Sequence, residues 1–77
     1  MKTAKEMFKE LGYKLFKDNN YVIAFFKDTN WIEFRKDIEV VKCYSLINDY
    51  YIEINNIGIK ELQAINKQVE ELGWLDE

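Results

Sequence analysis

The chain has no histidine, no proline, one cysteine and three glycines in 77 residues, and each scarcity closes off a class of chemistry or structure. Without histidine the usual general base, the commonest metal ligand and the central member of most triads are all missing. No catalytic residue, metal ligand or cofactor is therefore expected, and the chain reads as a non-enzyme. A lone Cys43 cannot close an internal disulfide and fits a reducing compartment. It falls in a strand-like stretch with no histidine to activate it, so it reads as a packing residue. Ser45 lacks a GxSxG context. A phosphate-cradling loop needs several glycines at fixed spacing, whereas Gly58 stands alone between Ile57 and Ile59 and reads as the turn into a helix. Long apolar runs are absent too. The longest, Tyr21 to Phe26, is far too short to span a bilayer, and Met1-Lys2-Thr3 leads into no signal-peptide core. The expectation is a soluble protein of the cytoplasm with no membrane partner.

What is present is core material: 48% of the residues are hydrophobic and 16% aromatic. That composition folds, and its length makes one domain, residues 1–77. A domain of this size buries only about 60 to 65% of its unfolded surface, so self-association as a homodimer would help it. Charge is uneven. Through Lys42 nine basic residues face seven acidic ones, and from Cys43 onward two lysines face seven acids, for a net charge of −3. Such a balance makes bulk nucleic-acid binding unfavourable, since duplexes reward a concentrated basic surface.

The clearest pattern lies in Ile57 to Leu75, where Leu62, Ile65, Val69 and Leu72 recur as one apolar stripe on an otherwise polar helix. Gly73 and Trp74 end it. At the other end of the chain, Thr3-Ala4-Lys5-Glu6 has the form of a capping box, and Ala4, Met7, Phe8 and Leu11 follow at helical spacing before Gly12 and Tyr13. The two helices thus share a terminator: apolar residue, glycine, aromatic. Lys2, Lys5 and Lys9 read as the wet side of the first helix, and the acidic end, Glu70, Glu71, Asp76 and Glu77, as a solvated tail in which Glu70 and Glu71 oppose the helix dipole.

Between the helices the period falls from about 3.6 to 2. Strands are expected over Tyr13 to Lys17, Tyr21 to Lys27, Trp31 to Lys36, Ile38 to Leu46 and Tyr50 to Asn55, separated by Asp18-Asn19-Asn20, Asp28-Thr29-Asn30, Lys36-Asp37 and Asn48-Asp49. Tyr21 to Lys27 is apolar on both faces, as for an interior strand. Short turns favour antiparallel pairing. The fold class is α+β with two layers: helix, antiparallel meander of four to five strands, helix, both helices on one face of the sheet. The helical ends, MKTAKEMFKELGYK and IKELQAINKQVEELGWL, resemble the two ends of small proteins encoded by phages and prophages of Gram-positive bacteria. That resemblance implies a virus-carried gene and a protein acting in the bacterial cytoplasm, and it brings no reaction and no functional residues with it.

Alternation in the third and fifth strands puts Ile32, Phe34, Ile52 and Ile54 beneath the helices and turns Trp31, Glu33, Arg35, Tyr51 and Glu53 to the other face, joined by Tyr21 or Tyr44. Large aromatics with arginine are enriched at binding hot spots, although they are also good strand formers. Glu33 and Glu53 share that face with Arg35 and Lys42, which reads as a solvated charge ladder ahead of an acid–base pair. The expected function is that of a phage or prophage accessory protein binding a host or phage protein through these five residues, in host takeover or counter-defence. Two alternatives are an oligomer that sequesters a nucleotide-like ligand on its aromatics, and a structural virion component.

Overall fold

A computed structural model describes residues 2–53 and 57–75. It is an α+β fold in the order α1 (Ala4–Glu10), β1 (Lys14–Asp18), β2 (Val22–Lys27), β3 (Asn30–Arg35), β4 (Val40–Ile47), β5 (Tyr50–Glu53) and α2 (Ile59–Glu71). The five strands pair antiparallel in sequence order, so the sheet is a meander with β1 and β5 at its edges. No helix among the described residues is long and apolar enough to cross a membrane.

Local chemistry sets both helix ends. Thr3 Oγ1 accepts from the Glu6 N–H at 3.2 Å while Glu6 Oε1 accepts from the Thr3 N–H at 2.9 Å, completing the capping box. The hydrogen bond from the Thr3 backbone is also the main reason the Glu6 carboxyl is held below its ordinary range. At the other end Gly12 (φ 93°) and Gly73 (φ 77°) take the left-handed conformation that costs a side-chain-bearing residue most. The amide of Tyr13 reaches back to the Phe8 carbonyl and that of Gly12 to Lys9; Trp74 to Val69 and Gly73 to Glu70 repeat the pattern. Both aromatics land on the core, Tyr13 buried and Trp74 packed against it.

The turns behave as their residues suggest, with one exception. Asn19 Oδ1 accepts from the amides of Tyr21 and Val22, and Asn48 and Asp49 both take positive φ between β4 and β5. The fourth strand, however, begins at Val40 and not at Ile38. Residues 36–39 form a turn in which Glu39 adopts φ 53°, leaving Ile38 exposed. The tail of the last expected strand, Ile54 and Asn55, and the acidic Asp76 and Glu77 lie outside the described residues.

One buried cluster joins all layers: Phe8, Tyr13, Ile23, Phe25, Ile32, Phe34, Ala64 and Ile65, with Val41, Cys43, Val69 and Leu72 packed against it. The sheet members form cross-strand rows, Ile23 opposite Phe34 and Phe25 opposite Ile32, continued by Val41 and Cys43 on β4. Ile52 shares their side of the sheet through its pairing with Ser45 but is 50% exposed, so the expectation that it lies beneath a helix does not hold. Helix α2 corrects the stripe as well. Its buried residues are Ala64, Ile65 and Gln68, whereas Leu62 is 44% exposed. The register of the stripe is that of the sequence, but the inward direction is rotated away from Leu62.

Glu71 overturns another reading. Its Oε2 accepts from the backbone N–H of Ala4 at 2.8 Å, so the carboxylate that opposes the dipole of its own helix sits at the positive end of α1. Leu11 and Lys60 line one groove at the opposite ends of the helices, and the pair therefore runs antiparallel.

Candidate protein-binding face

The register places all five candidate residues on one side of the sheet. Trp31 lies opposite Phe26 on β2 and Tyr44 on β4; Tyr44 in turn lies opposite Glu53, and Leu46 opposite Tyr51. Residues two apart on a strand share a face, so Glu33 and Arg35 follow Trp31. The side chains build a row of rings across the sheet. Phe16 packs 4.8 Å from Trp31 and 6.2 Å from Phe26, Trp31 stacks on Tyr44 at 6.4 Å with planes 10° apart, and Tyr44 meets Tyr51 edge-on at 5.3 Å. Phe16 reaches this face by alternation, since Leu15 lies opposite the core residue Phe25 and Phe16 follows it. The ends of the row, Phe16 and Tyr51, are exposed, while Phe26, Trp31 and Tyr44 are half-buried.

Glu33 anchors the middle. One oxygen accepts from Trp31 Nε1 at 3.3 Å and from the Tyr44 hydroxyl at 3.1 Å, and the other pairs with Arg35 Nε at 3.2 Å. Its side chain is only 15% exposed. The charge ladder expected across the strands is thus replaced by a carboxylate shared among an indole, a phenol and a guanidinium. Such a carboxylate fixes its three neighbours in place, with both lone pairs of one oxygen engaged and the other oxygen held by Arg35. Arg35 remains exposed, and its terminal N–H donors are not used by the Nε contact. Of the two tyrosines weighed with this group, Tyr44 belongs to it and Tyr21 does not, being 70% exposed at the bend before β2.

Burial first, then the Glu33 charge and its hydrogen bond, push the Tyr44 phenol up to about 12. A phenol raised in the folded state favours folding while protonated. Its contribution is complete below the ordinary tyrosine value of about 10 and is lost as pH rises through about 12. Ultraviolet titration of phenolate absorbance should therefore show a component ionising near pH 12 that Tyr44→Phe removes, and the variant's stability should fall less steeply over that window. Absence of the late component would mean that Tyr44 is not held against Glu33.

The sequence-level reading missed Phe16 and Phe26 as members of the face. Alternation carries the signal for both: Phe25 points to the core, which turns Phe26 the other way, and Phe16 stands on the face opposite to Leu15. Elsewhere, burial pushes the Cys43 thiol up, which keeps it protonated at neutral pH and matches its packing against the core. Ser45 Oγ bonds Asn30 Oδ1 at 2.6 Å. Among the described residues no cluster of three or more Cys, Asp or Glu is placed to hold a metal ion. The clefts are small or open: about 170 Å³ between Phe26, Trp31, Leu46 and Tyr51, about 130 Å³ between Tyr13, Ile32, Cys43 and Glu61, and open ones of about 300, 320 and 390 Å³, the last lined by Val40, Val41, Lys42, Cys43, Glu53 and Ile57. Comparison with protein-family models, with curated proteins and with solved structures gives no match.

Proposed function

We propose that this chain is a non-enzymatic binding protein whose aromatic face engages another protein, with both helices covering the opposite face. The row of rings from Phe16 to Tyr51, ended by two exposed aromatics and flanked by Arg35, carries the reading. Aromatic and arginine side chains held rigid before contact lose little entropy on binding, which is what makes them effective anchors. The helix placement is supported by the single cluster in which Phe8, Ala64 and Ile65 meet Ile23, Phe25, Ile32 and Phe34. A flat ring surface suits a protein partner better than a nucleotide, because small-molecule sites enclose roughly 300 Å³ or more and the cleft among the rings encloses about 170 Å³. With the likeness of the helical ends to phage and prophage proteins, the partner is a host or phage protein met in the bacterial cytoplasm.

Affinity capture from a Gram-positive bacterial lysate, run in parallel with wild type, Tyr51→Ala and Arg35→Glu, tests this. The captured protein, once purified, should bind each variant more weakly by about 2 kcal/mol, roughly thirtyfold, with little change in the variants' folding stability, since both residues are exposed. Equal capture by all three would remove the face from consideration. Purified protein carrying a small molecule with nucleobase absorbance would replace this reading with ligand sequestration.

A further inference from the structure

The two edges of the sheet are built in opposite ways. Edge strand β1 is protected: its register slips at Phe16, it carries Lys14 and Lys17, and Asp18 is tied to Lys5 at 2.7 Å and Lys36 at 3.6 Å. Irregularity and charge are the usual devices that keep an open edge from pairing with another chain. Edge strand β5 has no irregularity and a single charge, Glu53. Tyr50, Tyr51, Ile52 and Glu53 pair with β4 without a register shift, include no lysine, arginine or proline, and are all exposed. Of the fourteen exposed large hydrophobic residues among the described ones, nine lie on the β4–β5 hairpin or around the start of α2: Val40, Leu46, Ile47, Tyr50, Tyr51, Ile52, Ile57, Ile59 and Leu62. One sheet thus blocks one edge and leaves the other regular and apolar.

We propose that the protein is a homodimer in which β5 pairs antiparallel with β5 of a second copy, making one continuous ten-stranded sheet. A strand paired with its own copy about a two-fold axis normal to the sheet is self-complementary, so one patch satisfies both sides. Centred on Tyr51, the pairing sets Tyr50 against Ile52 of the second copy; centred on Ile52, it sets Ile52 against its own copy. Either register keeps the two Glu53 side chains from facing each other. A standard interface takes about 800 Å² from each partner, about one-seventh of the 5719 Å² surface of this chain. The gain is large for so small a domain, which alone leaves Ile47, Tyr50 and Ile52 exposed. The dimer does not rest on the binding reading: Tyr50 and Ile52 lie on the side of the sheet away from Trp31 and Tyr51.

Sedimentation equilibrium of the full chain should return twice the 9.3 kDa chain mass and a reversible dissociation on dilution. Ile52→Lys should weaken the dimer roughly tenfold or more, with the circular dichroism spectrum unchanged; Tyr50→Lys should do the same if the first variant fails to fold. Leu15→Lys, at the protected edge, should leave it intact. A wild-type chain that stays monomeric at millimolar concentration overturns the proposal, and so does a dimer that survives both Ile52→Lys and Tyr50→Lys at wild-type affinity.

Discussion

Phe8→Ala is expected to remove about a quarter or more of this chain's stability. Phe8 is fully buried, stacks on Phe25 at 4.2 Å, and meets Tyr13 and Phe34 edge-on at 5.6 and 6.1 Å. Helix α1 has only seven residues, too few to persist without a tertiary anchor. Removing a buried phenylalanine costs about 3 to 5 kcal/mol, against a total stability of roughly 4 to 12 kcal/mol for a domain of this length. Urea titration followed by circular dichroism should show the midpoint falling by about a quarter or more at unchanged slope. Leu62→Ala is the contrast. Being 44% exposed, Leu62 should lose less than about 1 kcal/mol. A Phe8→Ala loss as small as that of Leu62→Ala would mean that α1 is held by something other than its ring.

Gln68→Met should stabilise the protein. Gln68 in α2 is buried, 4% exposed, and its Oε1 has no hydrogen-bond partner among the described residues. An unpaired buried carbonyl costs about 1 to 3 kcal/mol. Methionine keeps the unbranched shape and nearly the volume, adds no polar atom and is a good helix former. A gain of that size raises the thermal midpoint by roughly 5 to 15 °C for a domain this small. A lower midpoint in the variant would show that Oε1 is satisfied in solution and that the amide is part of the packing.

Features fixed within a few residues were legible in the sequence. The Thr3–Glu6 box, the Gly12-Tyr13 and Gly73-Trp74 terminators and the Asn19 and Asn48 turns each depend on near neighbours, so their residue types announce them. The same holds for Ile32 and Phe34, inward residues of a strand with neighbours on both sides. What failed depended on distant partners. Periodicity gave the register of α2 but could not say that Ala64 and Gln68 are buried while Leu62 is 44% exposed, since the inward direction is set by distant partners. Ile52 read as core because alternation gives a face and not its cover. In β4 the start was misplaced because Glu39, an unusual residue for a left-handed turn, carries no turn signal. The candidate face was legible in its five members and illegible in its assembly, as the convergence of Trp31, Tyr44 and Arg35 on Glu33 needs the pairing of β3 with β4.

The bond from Ala4 to Glu71 spans 67 positions, whereas every strand pairs with its immediate neighbour in sequence. Hairpins of the meander can close while the chain is still being made, each over a short loop of low closure entropy. The first helix has no such freedom. Until residue 71 has left the ribosome, its leading amides have only Thr3, Glu6 and water to turn to, and Ala64 and Ile65 are not yet there to complete the cluster around Phe8. The earliest segment to be synthesised is therefore among the last to be finished, and a chain interrupted anywhere before α2 retains a sheet whose buried rows remain open to solvent.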